Sequence, residues 1–128
     1  MSSVKARKVT FGSTLSESFT VDRRLDKEFL DRAAEFWKER KLSIKKKVLA
    51  RRTEGESEAY EGTLVAEGGT IWTIDFDQYR KAVSVSMIGT EDNVEVFVHM
   101  ELIGAFMSAK DERKAMDLFQ AFQDQLSR

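Results

Sequence analysis

The sequence predicts an α+β domain, a five- to six-stranded antiparallel meander sheet with two helices packed on one face. Three observations point there. Val83, Val85 and Met87 alternate with Ser84, Ser86 and Ile88, and Val94, Val96, Val98, Met100 and Leu102 alternate with Glu95, Phe97, His99, Glu101 and Ile103. Alternation of period two means strands with one face in a core. Two other segments, about 25–40 and about 109–127, space their apolar residues as helices do. Finally, 128 residues at 41% hydrophobic and 34% charged is the balance of one folded domain able to bury its own core, so residues 1–128 are expected as a single unit.

The elements follow in order. Residues 1–8 carry Lys5, Arg7 and Lys8 without a core pattern and are expected to be flexible. Val9 and Phe11, then Leu15, Phe19 and Val21, suggest one strand broken near Gly12-Ser13 or two short ones. In the first helix Leu25, Phe29, Ala33 and Phe36 share a face, with Leu30, Ala34 and Trp37 beside them. Asp26 is the expected cap, with Leu25 and Leu30 as a hydrophobic staple and Asp22 as its rival. Acids come early (Asp26, Glu28) and bases late (Lys38, Arg40, Lys41), as the helix dipole prefers.

Residues 42–52 read as a strand with Leu42, Ile44, Val48 and Ala50 inward and Ser43, Lys45, Lys47, Leu49 and Arg51 outward. A turn at 53–57 then sets Ala50 opposite Tyr60, Val48 opposite Gly62 and Ile44 opposite Ala66, which leaves Lys46 inward opposite Leu64. Glu67-Gly68-Gly69 fits a hairpin loop into a strand carrying Trp72, Ile74 and Phe76, with Trp72 opposite Leu64 and Ile74 against Val83. The turn at Gly89–Asp92 places Met87 against Val94 and Val85 against Val96. Ser108 and Asp111 resemble a capping box before the last helix, whose stripe is Ala115, Leu118, Phe119, Phe122 and Leu126. Two one-faced helices and a one-faced sheet fit together with both helices on the same side.

The absence of cysteine excludes disulfides and thiolate metal sites and is compatible with a reducing compartment. With no apolar run at the N-terminus and none of spanning length, the expected setting is cytoplasmic. Up to Thr53, fifteen Lys and Arg stand against seven Asp and Glu; from Glu54 onward six stand against fifteen. The simpler reading of that split is two halves lying side by side and neutralising each other, not an anion-binding half.

Candidate sites follow from parity. A curved sheet against the last helix can leave a pocket for a small apolar ligand, with Tyr60, Trp72, Phe76, Met100, Phe119 and Phe122 as its walls. Gly62 would provide the space and Lys46 a polar end, although the same residues simply fill an interior at normal density. On the opposite face stand Leu49, Val65, Ile71, Phe97 and Ile103, among the small Ser84 and Ser86 and beside His99. A flat face of that composition suits a second copy of the chain. Lys45, Lys47 and Arg51, with Arg52, could track phosphates of a nucleic acid, but cross-strand pairing with Glu61, Glu67 and Asp75 explains them more simply. His99, the sole histidine, is expected opposite Ala82; Asp75 and Asp77 are expected on one strand face. Neither makes a metal or catalytic pattern by itself, so no cofactor, metal or enzymatic activity is expected.

The order of elements (an early strand, a helix, an antiparallel meander and a long final helix) looks like the helix-grip arrangement of small lipid- and polyketide-binding proteins. It also looks like cystatin- or NTF2-like cones. The likeness is architectural and assigns no functional residue. The functions expected are, in order, a non-catalytic binding module that forms a homodimer through the open sheet face, a carrier of a small apolar ligand, and a nucleic-acid binder.

Overall fold

In the computed structural model, residues 3–5, 13–54, 57–70, 73, 75–90 and 92–128 are described, and the side chains of 3–5, 53–54 and 57–58 are left aside. The chain runs β1 (Ser3–Lys5), β2 (Thr14–Val21), α1 (Lys27–Lys38), β3 (Ser43–Glu54), β4 (Ser57–Gly68), β5 (Lys81–Gly89), β6 (Val94–Leu102) and α2 (Ala109–Ser127). A short 3-10 turn, Phe76–Gln78, lies between β4 and β5. One antiparallel sheet results, in the order β1-β2-β6-β5-β4-β3. The meander is therefore β3 to β6, and β2 extends it by pairing with β6, Leu15 beside Met100 and Phe19 beside Val96. β1 adds an edge to β2, Ser3 beside Thr20.

Both helices lie on one flank of the sheet, as their stripes require. Asp26 wins over Asp22 as the cap of α1: its Oδ1 accepts from the Phe29 N–H at 2.8 Å. The staple residues Leu25 and Leu30 are buried. At α2 the capping box is complete, the Asp111 N–H donating to Ser108 Oγ and the Ser108 N–H to an Asp111 carboxylate oxygen. Arg32 of α1 reaches the far end of α2 and donates to the Gln125 and Arg128 carbonyl oxygens at 2.6 and 2.8 Å. A cation there satisfies the last, unpaired carbonyls and complements the helix dipole.

Between helices and sheet lies an aromatic cluster. The ring of Phe122 sits 5.0 Å from Phe36, 5.1 Å from Trp37 and 6.0 Å from Phe19. Valines 83, 85, 94, 96 and 98 and Met87 and Met100 form its floor, all buried. Removing each such aromatic side chain from water is worth about 1.5–3 kcal/mol.

Two departures from the expected sheet matter. The first is a β-bulge between Ile44 and Lys46. Ile44 pairs with Ala66 as expected, but Lys46 then faces Val65, Lys47 faces Leu64, Val48 faces Thr63 and Leu49 faces Gly62. An extra residue in one strand reverses every later side chain. Lys47, Leu49 and Arg51 therefore turn toward the helices, and Lys46, Val48, Ala50 and Arg52 toward the open face. The expected pairs Ala50–Tyr60 and Val48–Gly62 become Ala50–Glu61 and Leu49–Gly62.

The second departure is that β4 pairs directly with β5, Leu64 beside Val85 and Ala66 beside Val83, so the positions expected for Trp72 beside Leu64 and for Ile74 beside Val83 are taken by β5 and β4. Those two residues and Ile71 lie outside the described residues. The surrounding chain loops back on itself: the Thr70 N–H donates to the Gln78 carbonyl and the Arg80 N–H to the Thr70 carbonyl. Local side chains compete with a ladder here. Thr73 Oγ1 accepts from the Asp75 N–H, and Asp75 Oδ1 from the Asp77 N–H. Asp75 and Asp77 thus belong to a turn, not to one strand face. The β5–β6 register also slides by two, Met87 meeting Val96 and Val85 meeting Val98, a shift that preserves the faces.

Candidate functional site

With two helices on one flank, the sheet's other face is left uncovered among the described residues. Its layout can be read from the registers, rung by rung across β2, β6, β5, β4 and β3. The two central rungs are Ser16–His99–Ser84–Val65–Lys46 and Ser18–Phe97–Ser86–Thr63–Val48. They are flanked by Thr14–Glu101–Ala82–Glu67–Ser43 on one side and Thr20–Glu95–Ile88–Glu61–Ala50 on the other. Carboxylates thus stand at both ends of the face, and the middle is small, hydroxylic and apolar. Phe97, Val48 and Ile88 are 44%, 45% and 43% exposed.

A shallow groove of about 340 Å³ crosses this middle, between Ser16 and Ser18 on β2, Phe97 and His99 on β6, and Ser84 and Ser86 on β5. Serines on either side of a large ring create it, because their short side chains leave a depression around Phe97. His99 stands opposite Ser84, not Ala82, and its Nδ1 shares a 2.6 Å hydrogen bond with Ser16 Oγ. A hydroxyl against an imidazole is the contact a nucleophile makes with its base. Here it links two neighbouring strands on an exposed surface, where a cross-strand pair is its ordinary role.

The residues proposed from sequence for this face divide. Val65, Ser84, Ser86, Phe97 and His99 share it, and Ile103 lies half-buried just past β6. Leu49 is on the helix side, packed against the core. Ile71 is outside the described residues. Val48 and Ile88 also belong to the face; Ile88 follows the parity of Ser84 and Ser86, whereas for Val48 only the bulge reveals it.

Of the proposed ligand-pocket residues, Tyr60, Gly62, Met100, Phe119 and Phe122 lie on the helix side of the sheet. Met100, Phe119 and Phe122 are fully buried in the core, Phe122 against the rings of Phe19, Phe36 and Trp37. Gly62 is filled from across by Met87, whose Cε would lie 3.1 Å from an added Cβ. Tyr60 is half-buried at the rim, Phe76 is buried on the 3-10 turn instead of the sheet, and Trp72 is not described. Lys46, expected inward, is exposed on the open face.

The basic strand is dispersed. Lys47 Nζ donates to Asp31 Oδ1 of α1 at 2.7 Å, a contact that holds the Asp31 carboxyl below its usual range. Arg52 pairs with Glu61 on the other face. Arg51 points to the helix side opposite Tyr60, and Lys45 is the bulge residue. The four no longer form one phosphate-tracking row. The cross-strand pairing expected for them is observed at Arg52–Glu61.

Two charged residues overlooked in the sequence are buried. Glu17 lies between Leu15 and Phe19 on the helix side of β2, 7% exposed, and burial raises its carboxyl above the ordinary value. Lys81 begins β5 on the same side, 4% exposed. Parity would have located both: each is two residues from a core position, Glu17 from Leu15 and Lys81 from Val83.

Among the described residues there is no group of His, Asp and Glu able to hold a metal ion, and no helix is long and apolar enough to cross a membrane. No protein-family model, curated protein or solved structure matches this chain.

Proposed function

We propose that the protein is a non-catalytic binding module that self-associates through the open face of its sheet. The observation that carries this reading is the composition of that face, a neutral middle of Phe97, Val48, Val65 and hydroxyl side chains with the carboxylates of Glu61, Glu67, Glu95 and Glu101 at its margins. Apolar centre and charged rim is the anatomy of a protein interface. The size also suits a second copy. Five strands of eight residues cover about 24 by 27 Å, or ~650 Å² in projection. A standard interface buries about 800 Å² per partner, and a corrugated surface exceeds its projection. Two such faces stack as the halves of a sandwich do, about 10 Å apart.

Sedimentation equilibrium of the wild type and of Phe97→Thr tests the reading. Threonine keeps the β-branched preference for a strand and removes the ring. Full burial of a Phe side chain is worth about 1.5–3 kcal/mol. With 44% of the residue exposed, covering what remains supplies about 0.7–1.3 kcal/mol per copy, or about 1.3–2.6 per dimer. The expected weakening is about 10- to 80-fold in Kd. A wild type that stays monomeric at its highest soluble concentration, or a Phe97→Thr dimer as tight as the wild type, overturns it.

A further inference from the structure

Lys81 stands opposite Gly68 of β4 and Leu102 of β6. Its Nζ donates to the Tyr79 carbonyl oxygen at 3.2 Å and lies 4.6 Å from the centre of the Phe76 ring. An ammonium carries three donors. One acceptor and one ring face leave this one under-partnered among the described residues, at 4% exposure. The side chain lines a hollow of about 230 Å³ where the end of α1 meets the loop before β5, shared with Arg40, Lys41, Leu42, Asp77 and Tyr79.

Arg40 reaches the hollow already oriented. Its guanidinium lies 3.5 Å from the centre of the Phe36 ring and donates to the Phe36 carbonyl at 2.9 Å. A stacked guanidinium has its plane fixed and needs little further ordering to bind. Three cations face a single carboxylate, Asp77, among the residues of the wall. Burial pushes the ammonium of Lys81 below its ordinary pKa despite the pull of Asp77 and Asp75, and burial likewise lowers that of Arg40. Both cations are thus held partly out of water; Arg40 has the partly exposed Glu39 carboxylate at 3.9 Å, and Lys81 is drawn toward Asp77 and Asp75 without an ion pair to either among the described residues.

We propose that this hollow binds a small oxyanion, the phosphoryl or carboxylate group of a ligand, between the Lys81 ammonium and the Arg40 guanidinium. An oxyanion supplies the missing acceptors and the opposite charge together, and charge-assisted bonds of this kind are the stronger ones. The volume fits an anionic group with a few further atoms and is below that of a drug-sized site, about 300–1,000 Å³. Leu42 and Tyr79 give those further atoms an apolar wall. Gly68 keeps the region tight, since a Cβ there would stand 2.7 Å from the Lys41 carbonyl oxygen.

The test is thermal unfolding of the full chain at pH 7 and constant ionic strength, comparing sodium phosphate and sodium malonate with sodium chloride. At least one of the two anions is expected to raise the wild-type Tm by about 3 °C or more above chloride. A rise with phosphate alone identifies a phosphoryl ligand, and with malonate alone a carboxylate; either supports the site. Lys81→Met should melt higher than wild type without anion, because a buried ammonium is gone, and should lose the anion-dependent rise. Arg40→Gln keeps Lys81 and should weaken anion binding about tenfold or more; it decides the matter if Lys81→Met does not fold. Lys110→Met, at an exposed cation on α2, should bind as wild type does. The site is refuted if neither anion exceeds chloride with the wild type, or if the rise persists undiminished in Arg40→Gln or in a folded Lys81→Met.

Discussion

Adding one methyl group at Gly89 measures how closely the entry to α1 is pressed onto the sheet. A Cβ built on Gly89 lies 2.3 Å from the Cβ of Leu25 and 3.0 Å from its Cδ2. To reach ordinary contact at 3.4 Å, one of the two chains must retreat by about 1.1 Å. The opposing atom is a stem atom, so a rotamer change cannot move it away. Leu25 is itself fully buried and immediately precedes the Asp26 cap, which ties its backbone to α1. Overpacking costs about 1–3 kcal/mol, and the upper end applies where nothing can swing aside. For a chain of this length Gly89→Ala should lower Tm by about 10 °C or more. Gly62→Ala is the control: its Cβ meets the tip of the flexible Met87 at 3.1 Å. A strand also gains about 0.5–1 kcal/mol when Gly becomes Ala, so that variant should unfold close to wild type. Urea titration gives both values. In a Leu25→Gly background the penalty of Gly89→Ala should largely vanish, since the opposing Cβ is absent. Equal stabilities of Gly89→Ala and Gly62→Ala would show that α1 does not enter against the end of β5.

Two further tests address the helices and the buried acid. Ser108→Ala removes one side of the capping box of α2 and should cost about 0.5–2 kcal/mol, a fall of about 3–6 °C in Tm per kcal/mol; an unchanged Tm would mean the box carries no stability. Glu17→Gln should stabilise at neutral pH. The folded state raises the Glu17 pKa above 4.5, so it binds more protons than the unfolded chain there, and stability falls as pH rises between the two values. The gain from glutamine is therefore complete above the folded pKa, fades as pH falls from that value to 4.5, and is absent below it; a loss of stability at neutral pH would reveal a cationic partner for the carboxylate.

Much of the scaffold was legible from residues alone. The alternation from Val94 to Leu102, the cap at Asp26, the box at Ser108 and the pairing of Ile44 with Ala66 are all observed. So is the shared flank of the helices, because Phe36 and Phe122 meet in the core. The open face was legible for β5 and β6, where the pattern is unbroken. It failed on β3, where the run from Lys45 to Arg52 can be read in either parity. Val48 and Ala50 make as good an inward pair as Lys47 and Leu49 make a poor one, and a bulge chose the poorer pattern. The trade places Leu49 against the core and lets Lys47 reach Asp31. The span holding Trp72, Ile74 and Phe76 also alternates, yet β5 already occupies the place beside β4.

What the sequence determined was local: which residues alternate, where helices start, and that each element has one face to bury. Those features follow from backbone stereochemistry and from side chains within a few positions of one another. What the tertiary structure decided was which strands are neighbours, where one residue bulges out, and hence which charged groups end up buried or in company. Partner choice is made between distant stretches of chain, so Lys81 became part of a cationic hollow only when the end of α1 and the loop before β5 closed around it.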